Sequence, residues 1–410
     1  MSEKRGLTFY KKEVKAVLRS VAGRKKFIGW NKTREAWQRL QPFLVQADRA
    51  IEKSNYLEAV YINYGLLIQL TDAITYYLDD SSGEIGYLID QICNNLDQLA
   101  DTKLKEETRK KFLDLCLKIY KSKVLDGWDW HYRLMEVAIK LATNKTEADK
   151  LNRLLDKKQE DDYSADTLKV LKLKLLRKFG DAEDYQREVM KNRNITEVRQ
   201  SLIQSAIEAK NYEEAKELAK EGQEYHKGNS HYEKEWLEWQ LKIVQLQKDR
   251  SEIIRVAKLL YMSHRLSDLD LLSIMKQAIP KTKWEKFRTE LIADLKAKGL
   301  SQKMMSIYVK EDMPKEILLA LQESNPNLYT IDNYAAQLQE KYLKQLIALY
   351  AKGIYNFMES NVGRKYYKAA VRYLRKIKKL GDEKLSQEIS DKLRVLYRTR
   401  RALLEELDKL

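Results

Sequence analysis

Residues that interrupt helices are scarce in this chain. Its 410 residues include 14 glycines and 4 prolines, together ~4% where globular proteins carry ~12%. So few breakers over this length predict nearly continuous helix. Only two cysteines are present, Cys93 and Cys116, each alone in an apolar helical pattern ("LIDQICNNL", "FLDLCLKIY"). They fit buried, reduced thiols of a cytoplasmic protein rather than a disulfide framework. No window holds 18 uninterrupted apolar residues, so no membrane span is expected. The opening "MSEKRGLTFYKKEVK" lacks the apolar centre of a signal peptide. Neither G-x-G-x-x-G nor G-x-x-x-x-G-K-[ST] occurs, so no phosphate-cradling loop is expected.

What is present is charge and apolar periodicity. Charged residues make up 34% and hydrophobic residues 44%, a helical composition that excludes wholesale disorder. The length exceeds one compact core and implies two or three domains or a repeat array. Three segments share a pattern in which Ala follows Tyr by three residues: Tyr56 and Ala59, Tyr212 and Ala215, Tyr367 and Ala370. The small Ala admits a neighbouring helix and the Tyr fills the space one turn earlier. The pattern resembles the first helix of a tetratricopeptide-type hairpin. Links such as "GD", "KN" and "KD" are two or three residues long and force consecutive helices to pack antiparallel. The expected fold is an all-α solenoid of degenerate tetratricopeptide-like hairpins. Three segments are expected: an N-terminal helical domain, 1–145, with a basic first 40 residues; helical repeats, 146–330; and a C-terminal helical segment, 331–410, with "NPNLYTIDNY" at the second boundary.

The formal charge of +16 is unevenly placed. Residues 1–40 hold twelve cations against three acids, and "GRKYYKAAVRYLRKIKKLG" (363–381) holds eight cations and no acid. At ~100° per residue, Arg364, Lys365, Lys368, Arg372, Arg375, Lys376 and Lys379 fall within an arc of ~120°. Tyr366, Ala369, Ala370, Tyr373, Leu374, Ile377 and Leu380 lie opposite. This cationic stripe has two readings. One is an anion-binding surface for nucleic acid. The other is a solvated face neutralised by acids from a neighbouring helix, "GDEKLSQEISDK" being the nearest source.

Other chemistry is sparse. His226 and His231 are five apart, where a helical metal pair needs three or four, and His131 and His264 stand alone, so no metal is expected. "DDSSGE" at 79–84 departs from a calcium loop at its sixth and twelfth positions. It reads as a turn whose Asp and Ser cap the next helix. The acidic "KQEDDY" at 158–163 reads as a solvated linker. Trp128 and Trp130, and Trp236 and Trp239, offer a stacking or peptide-contact surface, against the alternative of packing between helix pairs. No catalytic set and no cofactor is expected.

Several segments together resemble a known family: "AWQRLQPFLVQADRAIEKSNYLEAV", "DDSSGEIG", "KNYEEAKELAKEG", "MKQAIPKTKWEKFRTELIADL" and the terminal "YYKAAVRYLRKIKKLGDEKLSQEISDKLRVLYRTRRALLEELDKL". They are similar to the helical region that follows the zinc finger in bacterial SWIM zinc-finger proteins. The finger's Cys-x-Cys and Cys-x-His pairs are absent, so no zinc ligand carries over. Such proteins are often encoded near helicase-like or AAA-type ATPases. The resemblance therefore implies a non-catalytic scaffold or adaptor that binds a protein partner in a multiprotein assembly, such as one with an ATPase. The competing expectation is a nucleic-acid-binding accessory protein that uses its basic ends.

Overall fold

A computed structural model describes residues 6–156, 165–263 and 269–410. The described residues form 22 α-helices and no strand; one isolated parallel bridge pairs Ile28 with Leu78. The chain divides into two compact units, Met1–Ser205 and Ala206–Leu410. The first contains α1 (Leu7–Ala22), α2 (Thr33–Glu52), α3 (Tyr56–Tyr76), α4 (Glu84–Ala100), α5 (Glu106–Lys121), α6 (Trp130–Leu141), α7 (Lys145–Asp156), α8 (Ala165–Phe179) and α9 (Ala182–Lys191). The break between units falls within α10 (Thr196–Glu208). The second contains α11 (Tyr212–Tyr225), α12 (Ser230–Gln247), α13 (Arg250–Met262), α14 (Leu271–Ala278), α15 (Lys281–Ala297), α16 (Ser301–Lys310), α17 (Pro314–Ser324), α18 (Leu328–Gln339), α19 (Leu343–Ser360), α20 (Arg364–Lys379), α21 (Glu383–Leu396) and α22 (Arg401–Leu407).

Every substantial helix–helix contact joins elements one or two apart in the chain, such as α1 with α3, α4 with α6 and α20 with α22. That is the contact pattern of an α-solenoid, in which each hairpin rests on the next and not on a distant element. Three of the four prolines stand where helices start, and the fourth, Pro42, lies within α2. Pro314 is the first residue of α17, Pro280 directly precedes α15, and Pro326 lies in the turn before α18. The three tyrosine–alanine pairs also behave as small-residue contacts, with Ala59, Ala215 and Ala370 all fully buried. In α20, however, Tyr367 sits one turn inside the helix rather than at its start.

The basic N-terminal stretch, featureless by composition, contains a packed helix. Tyr10, Val14, Leu18 and Val21 of α1 are buried at four- and three-residue spacing against α3. The backbones meet closely there. A Cβ on Gly65 would lie 2.8 Å from Tyr10 Cβ and 3.1 Å from its carbonyl carbon.

Packing also continues across the compositional breaks near 145 and 330. One apolar core runs from Tyr10 to Leu175 and another from Met305 to Leu407. The short links there turn the chain without separating the layers on either side.

Candidate functional site

The cationic stripe lies on α20. Of the face read as opposite it, Ala370, Tyr373, Leu374 and Ile377 enter the core, joined by Tyr367 and Val371, while Tyr366, Ala369 and Leu380 are half-buried. With that face fixed, Arg364, Lys365, Lys368, Arg372, Arg375 and Lys379 are exposed, and Lys376 is half-buried.

Neighbouring helices neutralise part of the stripe. Arg364 pairs with Glu405 and, at 3.3 Å, with Glu406 of α22. The Arg375 guanidinium donates to the Lys409 carbonyl, and Lys376 pairs with Asp332 of α18. From the segment directly after the stripe only Glu383 contributes, pairing with Lys378. The acids thus come mainly from ~40 residues away on either side. The Glu406 carboxyl is held below the usual carboxylate range by Lys409 against the opposing effect of burial, with smaller pulls from Lys368 and Arg364. Lys365 and Arg372 lie over the rings of Tyr366 and Tyr373, at 4.6 and 5.1 Å. Lys365, Lys368, Arg372 and Lys379 have no ion-pair partner among the described residues.

Asp332 ties three helices together. It accepts from the Tyr350 hydroxyl of α19 at 2.6 Å, from the Tyr373 hydroxyl of α20 at 2.9 Å and from Lys376. Burial pushes its carboxyl up, but Lys376 and the two hydroxyls outweigh that and hold it below the usual range. The same arrangement, after burial, pushes both tyrosines up. A depressed carboxyl stabilises the fold above its unfolded value of ~3.9, and the contribution is lost as pH falls through the folded value. Asp332→Asn is expected to cost about 2 kcal/mol at neutral pH. It should also flatten the acid limb of the stability–pH curve below ~pH 4. Urea titrations across that range check it; an unchanged acid limb would remove Asp332 from this role.

The tryptophans divide. Trp236 is fully buried in α12, and its Nε1 donates to His226 Nδ1 at 3.1 Å. It is a core residue with no face for a partner, so of the two readings the contact surface fails here and packing between α11 and α12 holds. Trp239, one turn later, is half-buried under Lys242, 4.5 Å from its ring. Trp128 and Trp130 are half-buried and stacked on each other, with ring centres 4.9 Å apart at 16°. Their N–H groups reach Thr75 of α3 at 3.4 Å and Asp90 of α4 at 3.3 Å.

Cys93 and Cys116 are both free and buried, and burial pushes each thiol up to about 12. Asp80 caps α4, accepting from the N–H groups of Ile85 and Gly86 at 3.0 and 2.7 Å. The serines of that turn do not share in the cap. No group of three or more metal-ligating side chains occurs among the described residues, and none of their helices is long and apolar enough to cross a membrane. His264 and the acidic cluster at 158–163 lie outside the described residues.

Two surfaces escape a reading by composition. In the second unit Val362, Val395 and Leu396 are 69%, 75% and 63% exposed. Arg400 joins the two chain segments that carry them: its guanidinium donates to the carbonyls of Met358 and Asn361 and lies 3.9 Å from the Tyr397 ring. The turn after α21 is thereby held against the end of α19. In the first unit, "GRKKFIGWNK" between α1 and α2 exposes Phe27 at 48% and Trp30 at 67% among exposed cations. The signal in both cases is large apolar residues at non-periodic positions.

No family model matches the chain, and no curated protein matches it. Among solved structures the chain is similar to one described as "Circular tandem repeat protein with novel repeat topology and enhanced subunit contact surfaces". The identity is 13%, 98% of each chain is covered, and the TM-score is 0.25. At that score the likeness adds nothing to the contact pattern of the chain itself.

Proposed function

We propose that the protein is a non-catalytic scaffold that binds a protein partner through the apolar patch of its second unit. The observation that carries this reading is the exposure of Val362, Val395 and Leu396 on two chain segments that Arg400 joins. Large aliphatic side chains exposed near one junction, among charged residues, have the composition of a docking core. A solenoid supports such use because each hairpin rests only on its chain neighbours and leaves broad helix faces uncovered. The resemblance to the helical region of SWIM zinc-finger proteins makes an ATPase-containing assembly the first partner to test.

Tagged protein from its native host should co-purify with one stoichiometric partner. The double variant Val395→Asp, Leu396→Asp should lose that partner at unchanged thermal stability, since both residues are exposed. Finding no stoichiometric partner, or a partner retained by the variant, overturns the reading.

A second reading, an accessory protein that binds nucleic acid through its basic ends, is favoured by one observation. Cations without ion-pair partners among the described residues remain on α20 and between α1 and α2.

A further inference from the structure

Three inter-helix turns of the first unit meet at one end of its helices. The α1–α2 turn joins the α3–α4 turn by a parallel bridge: Ile28 N–H donates to the Tyr77 carbonyl, and Asp79 N–H to the Ile28 carbonyl, both at 2.9 Å. Thr33 Oγ1 fixes the same junction by donating to the Asp79 carbonyl at 3.1 Å. The α5–α6 turn joins through Trp128, which reaches Thr75. Thr75 and Tyr77 are two residues apart, no more than about 7 Å along the backbone. Phe27, Trp30 and the stacked Trp128–Trp130 pair therefore share one end face.

The backbone beside Phe27 and Trp30 and the edges of the indole pair are fixed by hydrogen bonds. Ile28 and Leu78 point into the core, so the alternation of extended backbone turns Phe27 away from it. Two tight turns, Gly23–Lys25 and Trp30–Lys32, flank the bridge. The Trp128 and Trp130 indoles are anchored edge-on through their N–H groups. A preformed stack with its edges already bonded has an outer face available for another flat ring.

The charge around the rings is cationic on the α1–α2 side. Residues 19–34 carry six cations and no acid. Of these, Arg24, Lys25, Lys26 and Arg34 are exposed and have no ion-pair partner among the described residues. Acids border the face, but several are engaged. Asp79 accepts from Ser81 N–H and Asp80 from two backbone N–H groups, while Asp90 accepts from Trp130 and Arg133. Asp126 and Asp129 remain on the α5–α6 turn. Beside the platform, Arg34, Trp37, Glu84 and Tyr87 line a hollow of about 420 Å³. It combines aromatic walls, one cation and one acceptor.

We propose that this end face binds single-stranded nucleic acid. Bases stack on Trp30, Phe27 and the Trp128–Trp130 pair, and Arg24, Lys25 and Lys26 meet the phosphates. The proposal rests on the second reading above and names its site. Separate, exposed aromatic rings beside cations unpaired among the described residues suit a single strand, whose bases are free to stack whatever their sequence. Duplex bases are not free to stack. An anionic bilayer is the less fitting occupant, because a flat charged sheet would also meet Asp126 and Asp129, which a narrow strand can pass.

The test is fluorescence anisotropy of a labelled oligodeoxythymidylate of about 20 nucleotides, longer than one stacking site needs. The full chain is titrated at low and raised salt. A duplex of equal length and phosphatidylserine vesicles are run beside it. Saturable single-strand binding that weakens with salt is expected. Trp30→Ala should weaken it about tenfold or more with an unchanged circular dichroism spectrum, since Trp30 is largely exposed. Lys25→Glu with Lys26→Glu should flatten the salt dependence. Absence of both single-strand and duplex binding at low salt overturns the platform and the second reading together. Binding that ignores Trp30→Ala but is lost on reversing Arg372, Arg375 and Lys379 to Glu overturns the platform alone and leaves the reading on α20. Equal binding of duplex, or binding of vesicles instead, also overturns the platform.

Discussion

Replacing Arg109 by Met is expected to destabilise the first unit by about 3–5 kcal/mol. Arg109 is a buried guanidinium on α5 with every direction of its fork engaged. Its Nε and Nη2 donate to Glu106 at 2.8 and 2.7 Å. Nη1 and Nη2 donate to Glu147 of α7 at 3.0 and 2.9 Å, and Nη1 also reaches the Leu141 carbonyl at the end of α6 at 2.7 Å. Three successive helices are thus joined at one point, across the link where composition alone placed a domain boundary. The Met variant keeps the apolar stem but leaves the shielded Glu147 carboxylate and the Leu141 carbonyl without their donor. Lys should rescue only part of the loss, because one ammonium cannot serve both carboxylates in the plane of a guanidinium.

The pH dependence follows from the carboxylates. Arg109 draws the Glu106 carboxyl down to about 2 against burial. At Glu147 burial pushes up, and Arg109 with the Thr143 N–H outweighs it. Both groups stabilise above the unfolded value of ~4.3 and lose that contribution as pH falls through their folded values. Hydrogen exchange followed by mass spectrometry should show lost protection across α5, α6 and α7 in the Met variant, with the second unit as internal reference. Unchanged exchange in those helices would show that the network does not hold them.

Trp236→Ala is the second large effect, at about 3–5 kcal/mol. The indole is the largest fully buried side chain among the described residues. Alanine would leave a void between α11 and α12 and remove the donor to His226. A partner-contact tryptophan would behave differently, since truncating an exposed ring changes stability little. Trp239→Ala, on the same helix but half-buried, is therefore the control and should cost far less. Urea denaturation of both variants decides the matter. Equal losses would contradict the division between a core indole and a surface one.

The fold was largely legible in the chain because breaker scarcity and short links leave few alternatives to stacked hairpins. On α20 the wheel separated buried from exposed residues well: Tyr373, Leu374 and Ile377 are in the core and Lys368, Arg372 and Lys379 are in water. What a wheel cannot supply is the partner of a charge. Glu405 and Asp332 reach the stripe from helices that composition does not pair with it. Spacing likewise could not separate Trp236 from Trp239, because residues three apart share a broad helix face and only the crossing point of the neighbour decides which is enclosed. Helix α1 was obscured by its many cations, although Tyr10, Val14 and Leu18 carry the repeat of a buried face. The exposed Phe27 and Trp30 follow no helical period and gave periodicity nothing to detect.

Cys93 and Cys116 both lie in the first unit, free, buried and with thiols pushed up by that burial. The second unit has no cysteine. A thiol-directed reagent is therefore blind to the native chain and becomes a clock for one half of it. Each modification records a moment when Met1–Ser205 opened, whatever Ala206–Leu410 was doing. A single exposed cysteine introduced elsewhere should label ahead of both, so dyes can be placed on the working protein without first removing its own sulfur.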